Sequence, residues 1–403
     1  MKKNIFLLLL CGLSGTAKAD NAVTTNDVVI RPGSTTELTV SLQNDANFNV
    51  YAYDFRLYLP EGVEVVKDGT YVYALSGRHT GHSANVQQTS DGAIQFGVSS
   101  PEAFLTGTDG PVIGIKLKAD ESLQVDKALQ ASITTITYAN KEAQTVHPAD
   151  ITFDIKTSNR VVLDENALMV PDATNDNVDI LVRRTIKANE WSTICLPFAM
   201  SVDKLKAAFG NDYELAYISG CEFEKDGDKV TGIEVNFTSR TAAAQINRPY
   251  IIKVSKDISE FEVNSATINP TDGYRTEVTE DDDETGEEVT ICAMTGKLKS
   301  GTVVPAKSLF LSGNKFWYST GNTKMKAYRG YFTFSDVLDN FYNSSRISLH
   351  FDGDETTGIG ATLNEKEEMR NEKIFDLQGR RVASSSLKKG VYVKDGRKVA
   401  IKH

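Results

Sequence analysis

Tyr51–Leu59, YAYDFRLYL, alternates along its whole length. Tyr51, Tyr53, Phe55, Leu57 and Leu59 fall on one side, and Ala52, Asp54, Arg56 and Tyr58 on the other. A period of two is the pattern of a strand with one face in a core and one in water. The strand stops at Pro60-Glu61-Gly62, a turn sequence.

The same grammar spreads outward from this stretch. TELTVSL (Thr36–Leu42) alternates, and AIQFGV, VIGIKLKA, LQASITTITYA and DITFDI follow. Pro32-Gly33, Asp91-Gly92 and Asp109-Gly110 punctuate them. No helical period of useful length interrupts the run from Asp27 to Thr157, so the pattern predicts a β-sandwich over residues 20–157. Residues 158–353 read as a second β-rich region with small helical decorations. VDILVRRTIKANEWSTICLPF predicts two strands around an Ala-Asn-Glu turn. SVDKLKAAFG predicts a short helix with Ser201 as N-cap and Gly210 past its end. CEFEKDGDKVTGIEVNFTS predicts a hairpin turning at Asp226-Gly227. SDVLDNFYN reads as a second short helix. Residues 354–371 are polar and then charged, as a linker is, and 372–403 form a basic β tail that includes a hairpin at Asp395-Gly396.

The order RPGSTTELTVSLQN, YAYDFRLYLPEGVEVV, GAIQFGVSS, GPVIGIKLKAD, ALQASITTITYANKEAQTVHPADITFDI resembles the cohesin-like and carbohydrate-binding-module jelly-roll superfamily. The resemblance implies that the strand around Tyr53–Leu59 helps form a partner face, with Asp54, Arg56 and Tyr58 on its outward side. The final stretch IFDLQGRRV, then Leu387, Gly390-Val391-Tyr392-Val393 and RKVAIK, is similar to the C-terminal sorting domain of type IX (Por) secretion substrates, without that domain's earlier strand. This tail carries nine basic and three acidic residues from Glu372 on. The alternative is a terminal hairpin that caps the second region. The fold expected is therefore all-β: two tandem β-sandwiches, the first a cohesin-like jelly roll and the second with short helices, plus a small C-terminal β tail.

The first nineteen residues, MKKNIFLLLLCGLSGTAKA, have a charged start, an apolar run and a small-x-small end. They read as a secretory signal cleaved between Ala19 and Asp20. The apolar run is too short to span a bilayer, and no later segment approaches the length that would. Three lysines leave with the leader, taking the net charge from −10 to −13. That balance argues against nucleic acid or an anionic membrane surface as partner. The localisation expected is secreted, at the cell surface or in the periplasm of a bacterium with an outer membrane. Cys195, Cys221 and Cys292 then remain, too few for a disulfide framework; at most one bridge can form, and Cys195 in STICLPF and Cys292 in VTICAM read as buried small hydrophobes.

No residue constellation names a reaction. There is no Gly-x-Ser-x-Gly and no His-Glu-x-x-His. His79 and His82 are the only close histidine pair, in the Gly-bearing loop SGRHTGHSAN, and read as surface residues. TEDDDETGEE holds seven acids in nine residues from Glu280 but lacks calcium-loop spacing, so it reads as a solvated hairpin tip. Neither a metal nor a cofactor is expected. Trp317 and Tyr318 lie on opposite faces of one strand, which puts at least one aromatic ring outward as a possible sugar platform. The function expected is non-enzymatic binding of polysaccharide or an envelope protein, with the tail read by secretion machinery. An adhesin-type assembly component and a glycan-active hydrolase are the alternatives. Intact-mass analysis of the exported protein should find it starting at Asp20; a mass that retains residues 1–19 would remove the leader from the reading.

Overall fold

The computed structural model describes residues 21–227, 229–281, 286–334, 341–351, 354–357, 374–375, 381–382, 390–394 and 397–401. The leader with its Ala19/Asp20 junction, most of the linker and residues 282–285 of the acidic tip lie outside the described residues, as does 335–340 of the expected second helix.

The chain is all-β apart from one α-helix among the described residues. Residues 22–157 form two main sheets and a two-stranded ribbon, Lys67–Asp68 with Thr70–Tyr71. The first runs Ala22–Thr25, Thr35–Gln43, Pro111–Ala119, Val63–Val65, with Tyr73–Leu75 also on Pro111–Ala119. The second runs Val28–Ile30, Ile151–Thr157, Ala128–Ala139, Ala52–Tyr58, Ile94–Ser99, Ser83–Gln88. Their inner faces share one core containing Leu38, Val40, Phe55, Phe96, Ile115 and Ile133. Phe55 and Phe96 stack across neighbouring strands with ring centroids 5.2 Å apart. Ile151–Thr157 pairs parallel with Val28–Ile30, so the last strand returns beside the start of the chain. The Pro32-Gly33 turn needs its glycine: φ is +74°, and a Cβ would lie 2.9 Å from Glu121 Cγ.

Arg78 fastens one end of this sandwich. It is 7% exposed and all its donors find oxygen. Nε bonds Thr106 O, Nη1 bonds Leu42 O and Gly110 O, and Nη2 bonds Asn44 Oδ1 and Gly107 O, all within 3.1 Å. A guanidinium is the one side chain with enough donors in one plane to do this.

The second region builds a three-stranded, a six-stranded and a five-stranded sheet. The expected helix is Val202–Phe209, with Ser201 accepting from Lys204 N and Gly210 closing it. The expected hairpin is Glu214–Asp226 with Lys229–Ser239. Val178–Ile186 and Ser192–Ile194 are the two expected strands, and they belong to different sheets. Two expectations change. Phe341–Phe351 is a strand paired parallel with Lys229–Ser239, so the end of SDVLDNFYN is extended. Asp354–Thr357, placed in the linker, adds antiparallel to Phe341–Phe351. In the tail, Gly390–Lys394 and Arg397–Ile401 pair as a hairpin, and Ile374–Phe375 and Arg381–Val382 extend it to four strands.

The two regions are joined by carboxylates. Glu37 accepts from the backbone N–H groups of Leu168 and Met169, each at 2.8 Å. Asp172 holds Thr35 and Lys116, and Asp27 holds Arg183 at 2.7 Å. Behind this joint Glu165 binds Lys326 at 2.8 Å and Arg329 at 2.6 Å, with fully buried Arg184 at 3.5 Å. Burial works to raise the Glu165 carboxyl, and the three cations outweigh it and hold it below the ordinary range. Replacing Arg78 by Ala should cost about 3 kcal/mol in urea unfolding, because buried carbonyls lose their donors. A loss under about 0.5 kcal/mol, the range of an ordinary surface change, would show that these loops hold without it.

Candidate functional site

The strand that carries the core of the first sandwich also carries its outer face. In Ala52–Tyr58 the even positions are half-exposed and the odd ones buried. Cross-strand register then lays out the face. Arg56 sits between Thr134 and Gln95, and Gln95 faces Gln87. Asp54 sits between Thr137 and Gly97, and Gly97 faces Asn85. Both threonines border the central strand because Ala128–Ala139 bulges between them, with Thr135 at φ +54° and its N–H bonded to Asp150. A bulge re-aims side chains in this way. Gly97 leaves a depression beside Asp54: a Cβ there would meet only Asn85 O, at 3.9 Å.

The polar groups on this face are organised. Tyr58 donates to Asp91 at 2.7 Å, and Arg56 Nη1 lies 3.6 Å from the same carboxylate. The Thr89 hydroxyl and then Tyr58 hold Asp91 down to about 2. Burial pushes the Asp54 carboxyl above its ordinary range, and Thr137, His147 and Arg56 pull it partly back. Arg56 Nε is buried and has no hydrogen-bond partner. At the end of the face beyond Ala52, Phe104 is 43% exposed, with its ring 5.8 Å from Tyr51. The sequence reading missed Phe104, although a lone aromatic in SSPEAFLTG, between turn residues, marks such a position.

Trp317 and Tyr318 part company. Tyr318 pairs with buried Leu309 and packs on the core. Trp317 points the other way, and the register continues from it to Phe310 and then Tyr331. The three aromatic side chains are half-exposed neighbours across one sheet face and lie outside the core cluster. Trp317 Nε1 donates to Ser312 O at 2.9 Å, which satisfies the indole and leaves its ring surface. The chain thus has two separate candidate faces, since Asp54, Arg56 and Tyr58 lie in the first sandwich. Trp191 is core, stacked on Phe351 at 4.6 Å.

A cavity of about 740 Å³ lies where the two regions meet, lined by Asp27, Arg31, Glu37, Asp172, Arg183 and Tyr328 among others. Three of its carboxylates are engaged: Asp27 with Lys156 and Arg183, Asp172 with Lys116 and Thr35, and Glu37 with the Leu168–Met169 backbone. The cleft is therefore built as a joint. His79 and His82 are half-buried, not surface residues. His79 bonds Tyr53 and Ser76 O, each at 3.1 Å, and burial pushes it down to about 4. Both ring nitrogens are thereby occupied. Among the described residues no group of three or more His, Cys, Asp or Glu could hold a metal ion. Among the described residues, no helix is long and apolar enough to cross a membrane.

Carboxyl titration followed by NMR should place Asp54 above the ordinary Asp midpoint. Arg56→Ala should raise it further, since a cation that favours the ionised form is removed; an unchanged or lower midpoint would separate the two side chains.

Comparison with known proteins adds a geometric likeness. No protein-family profile matches the chain, and no curated protein matches it. Among solved structures it is similar to the sixth cohesin of scaffoldin B from Acetivibrio cellulolyticus, at 16% identity over 35% of this chain and 100% of that one, with TM-score 0.31. It is also similar to a cohesin module of a family 33 glycoside hydrolase from Clostridium perfringens, at 13% identity over 34% of this chain and 96% of that one, with TM-score 0.29. A cohesin from Clostridium thermocellum, solved as a cohesin–dockerin complex, matches at 15% identity over 35% of this chain and 100% of that one, with TM-score 0.30. At such scores the likeness assigns neither ligand nor partner.

Proposed function

We propose that this is a non-catalytic binding protein that engages a protein partner through the outer face around Asp54, Arg56 and Tyr58. One observation supports the reading above the rest. Arg56, with an unpartnered Nε, stands beside Asp54 at the centre of a sheet face whose other outward residues are mainly Gln, Asn, Ser and Thr. The four adjacent strands Ala128–Ala139, Ala52–Tyr58, Ile94–Ser99 and Ser83–Gln88, the last at the sheet edge, carry no lysine or glutamate. Protein interfaces are depleted in Lys and Glu and enriched in Arg and aromatic residues. Exposed Phe104, beside Tyr51 past the end of the strand, adds apolar surface near this edge.

The aromatic row Trp317–Phe310–Tyr331 supports a second reading, in which the other region binds polysaccharide by stacking pyranose faces on rings. Both readings go with export: a leader removed between Ala19 and Asp20, residence at the cell surface or in the periplasm, and a basic tail read by secretion machinery.

The mature chain, immobilised, should retain a protein from the envelope fraction of the producing cell. Arg56→Glu should abolish retention, and Trp317→Ala should leave it intact. Retardation by a soluble glycan in affinity electrophoresis, lost in Trp317→Ala and kept in Arg56→Glu, would instead move the function to the aromatic row.

A further inference from the structure

All three described cysteines are free and buried in the structure, and two of them share one core. Cys221 lies on Glu214–Asp226 in the six-stranded sheet, and Cys292 on Glu288–Lys297 in the five-stranded sheet. Both are buried in the same core cluster, at 5% and 1% exposure. The two thiols share a hydrogen bond, which together with burial pushes Cys221 well above the ordinary thiol range. Their strands approach within 8 Å between Cα atoms, closer than the ~10 Å of sheets packed face to face. Disulfides span Cα separations up to about 6.8 Å, so the bridge requires the two strands to close to that range at this pair.

Cys195 is placed differently. It belongs to another core cluster, its Sγ donates to Asn247 O at 3.0 Å, and Gly296 presses against it. The pairing is therefore specified by position, although three cysteines in sequence allow three pairings.

We propose that Cys221 and Cys292 form a disulfide that cross-links the two main sheets of the second region and leaves Cys195 reduced. The proposal rests on the export reading, because disulfides persist in oxidising compartments. The oxidant is a disulfide, either an oxidoreductase or oxidised glutathione. One cysteine thiolate attacks it, forming a mixed disulfide and releasing one thiol. The second cysteine then displaces the other thiol. Two protons leave the protein, and its two electrons reduce the oxidant to two thiols. The exchange takes place before the core closes, since the thiolate is the nucleophile and burial suppresses it. The bridge closes a loop of about 70 residues, long enough for reduction to lower Tm by on the order of 10 °C.

The full chain, refolded with oxidised glutathione, denatured and then alkylated with iodoacetamide, should leave Cys221 and Cys292 unmodified and Cys195 alkylated. Peptide mapping should recover the 221–292 cross-link, and the Cys195→Ala variant should retain it. Alkylation of all three, or a bridge through Cys195, would overturn the proposal. The same mapping on exported protein separates the two premises. A bridge in the refolded chain with free thiols in the exported one would overturn the export reading and leave the pairing standing.

Discussion

Every second side chain of Ala52–Tyr58 points inward, and this constraint couples the core of the first sandwich to its surface. Tyr53, Phe55 and Leu57 are buried against the opposite sheet. Their burial sets the strand's rotation and height, so Asp54, Arg56 and Tyr58 emerge where the core demands. A slip of one residue would invert both sets together. The candidate face is thus held by apolar packing, and its geometry is as rigid as the core beneath it. The neighbouring strand then adjusts locally. The bulge at Thr135 lets Thr134 and Thr137 both border that strand, one opposite Arg56 and one opposite Asp54.

Polar groups do a different job at the ends and at the joint. Arg78 gathers oxygens from two separate chain segments, 42–44 and 106–110, at one end of the sandwich. Glu37 leaves the first region to cap two amides of the second, and burial pushes its carboxyl above the ordinary range against the pull of those amides. A buried carboxylate that binds backbone N–H groups converts a covalent connection into a defined contact. The cluster around Glu165 repeats the device one layer deeper, where one carboxylate serves three cations.

The second region reuses its strands for two purposes. On Lys315–Ser319, Phe316 and Tyr318 pack towards the core while Trp317 joins Phe310 and Tyr331 on the outer side. On the inner side, the two sheets bury Cys221 and Cys292 in one core cluster. A face for partners and a staple for the core are therefore products of one alternation.

The amino-acid sequence already specifies the elements whose signals are local. Period-two stretches became strands, Ser201 and Gly210 bounded the helix, and Asp226-Gly227 turned a hairpin, because capping and turn chemistry act within a few residues. It also determined that Asp54, Arg56 and Tyr58 share a side, since that follows from alternation along one strand. The tertiary structure alone decided which strands are neighbours. Val178–Ile186 and Ser192–Ile194 parted into different sheets, and Asp354–Thr357 joined a sheet rather than a linker. It alone brought Thr134, Thr137 and Gln95 around Asp54 and Arg56, aligned Phe310 with Trp317, and set Cys221 beside Cys292. Pairing between distant segments is chosen by the burial of whole faces and by shape, which no short window of sequence encodes.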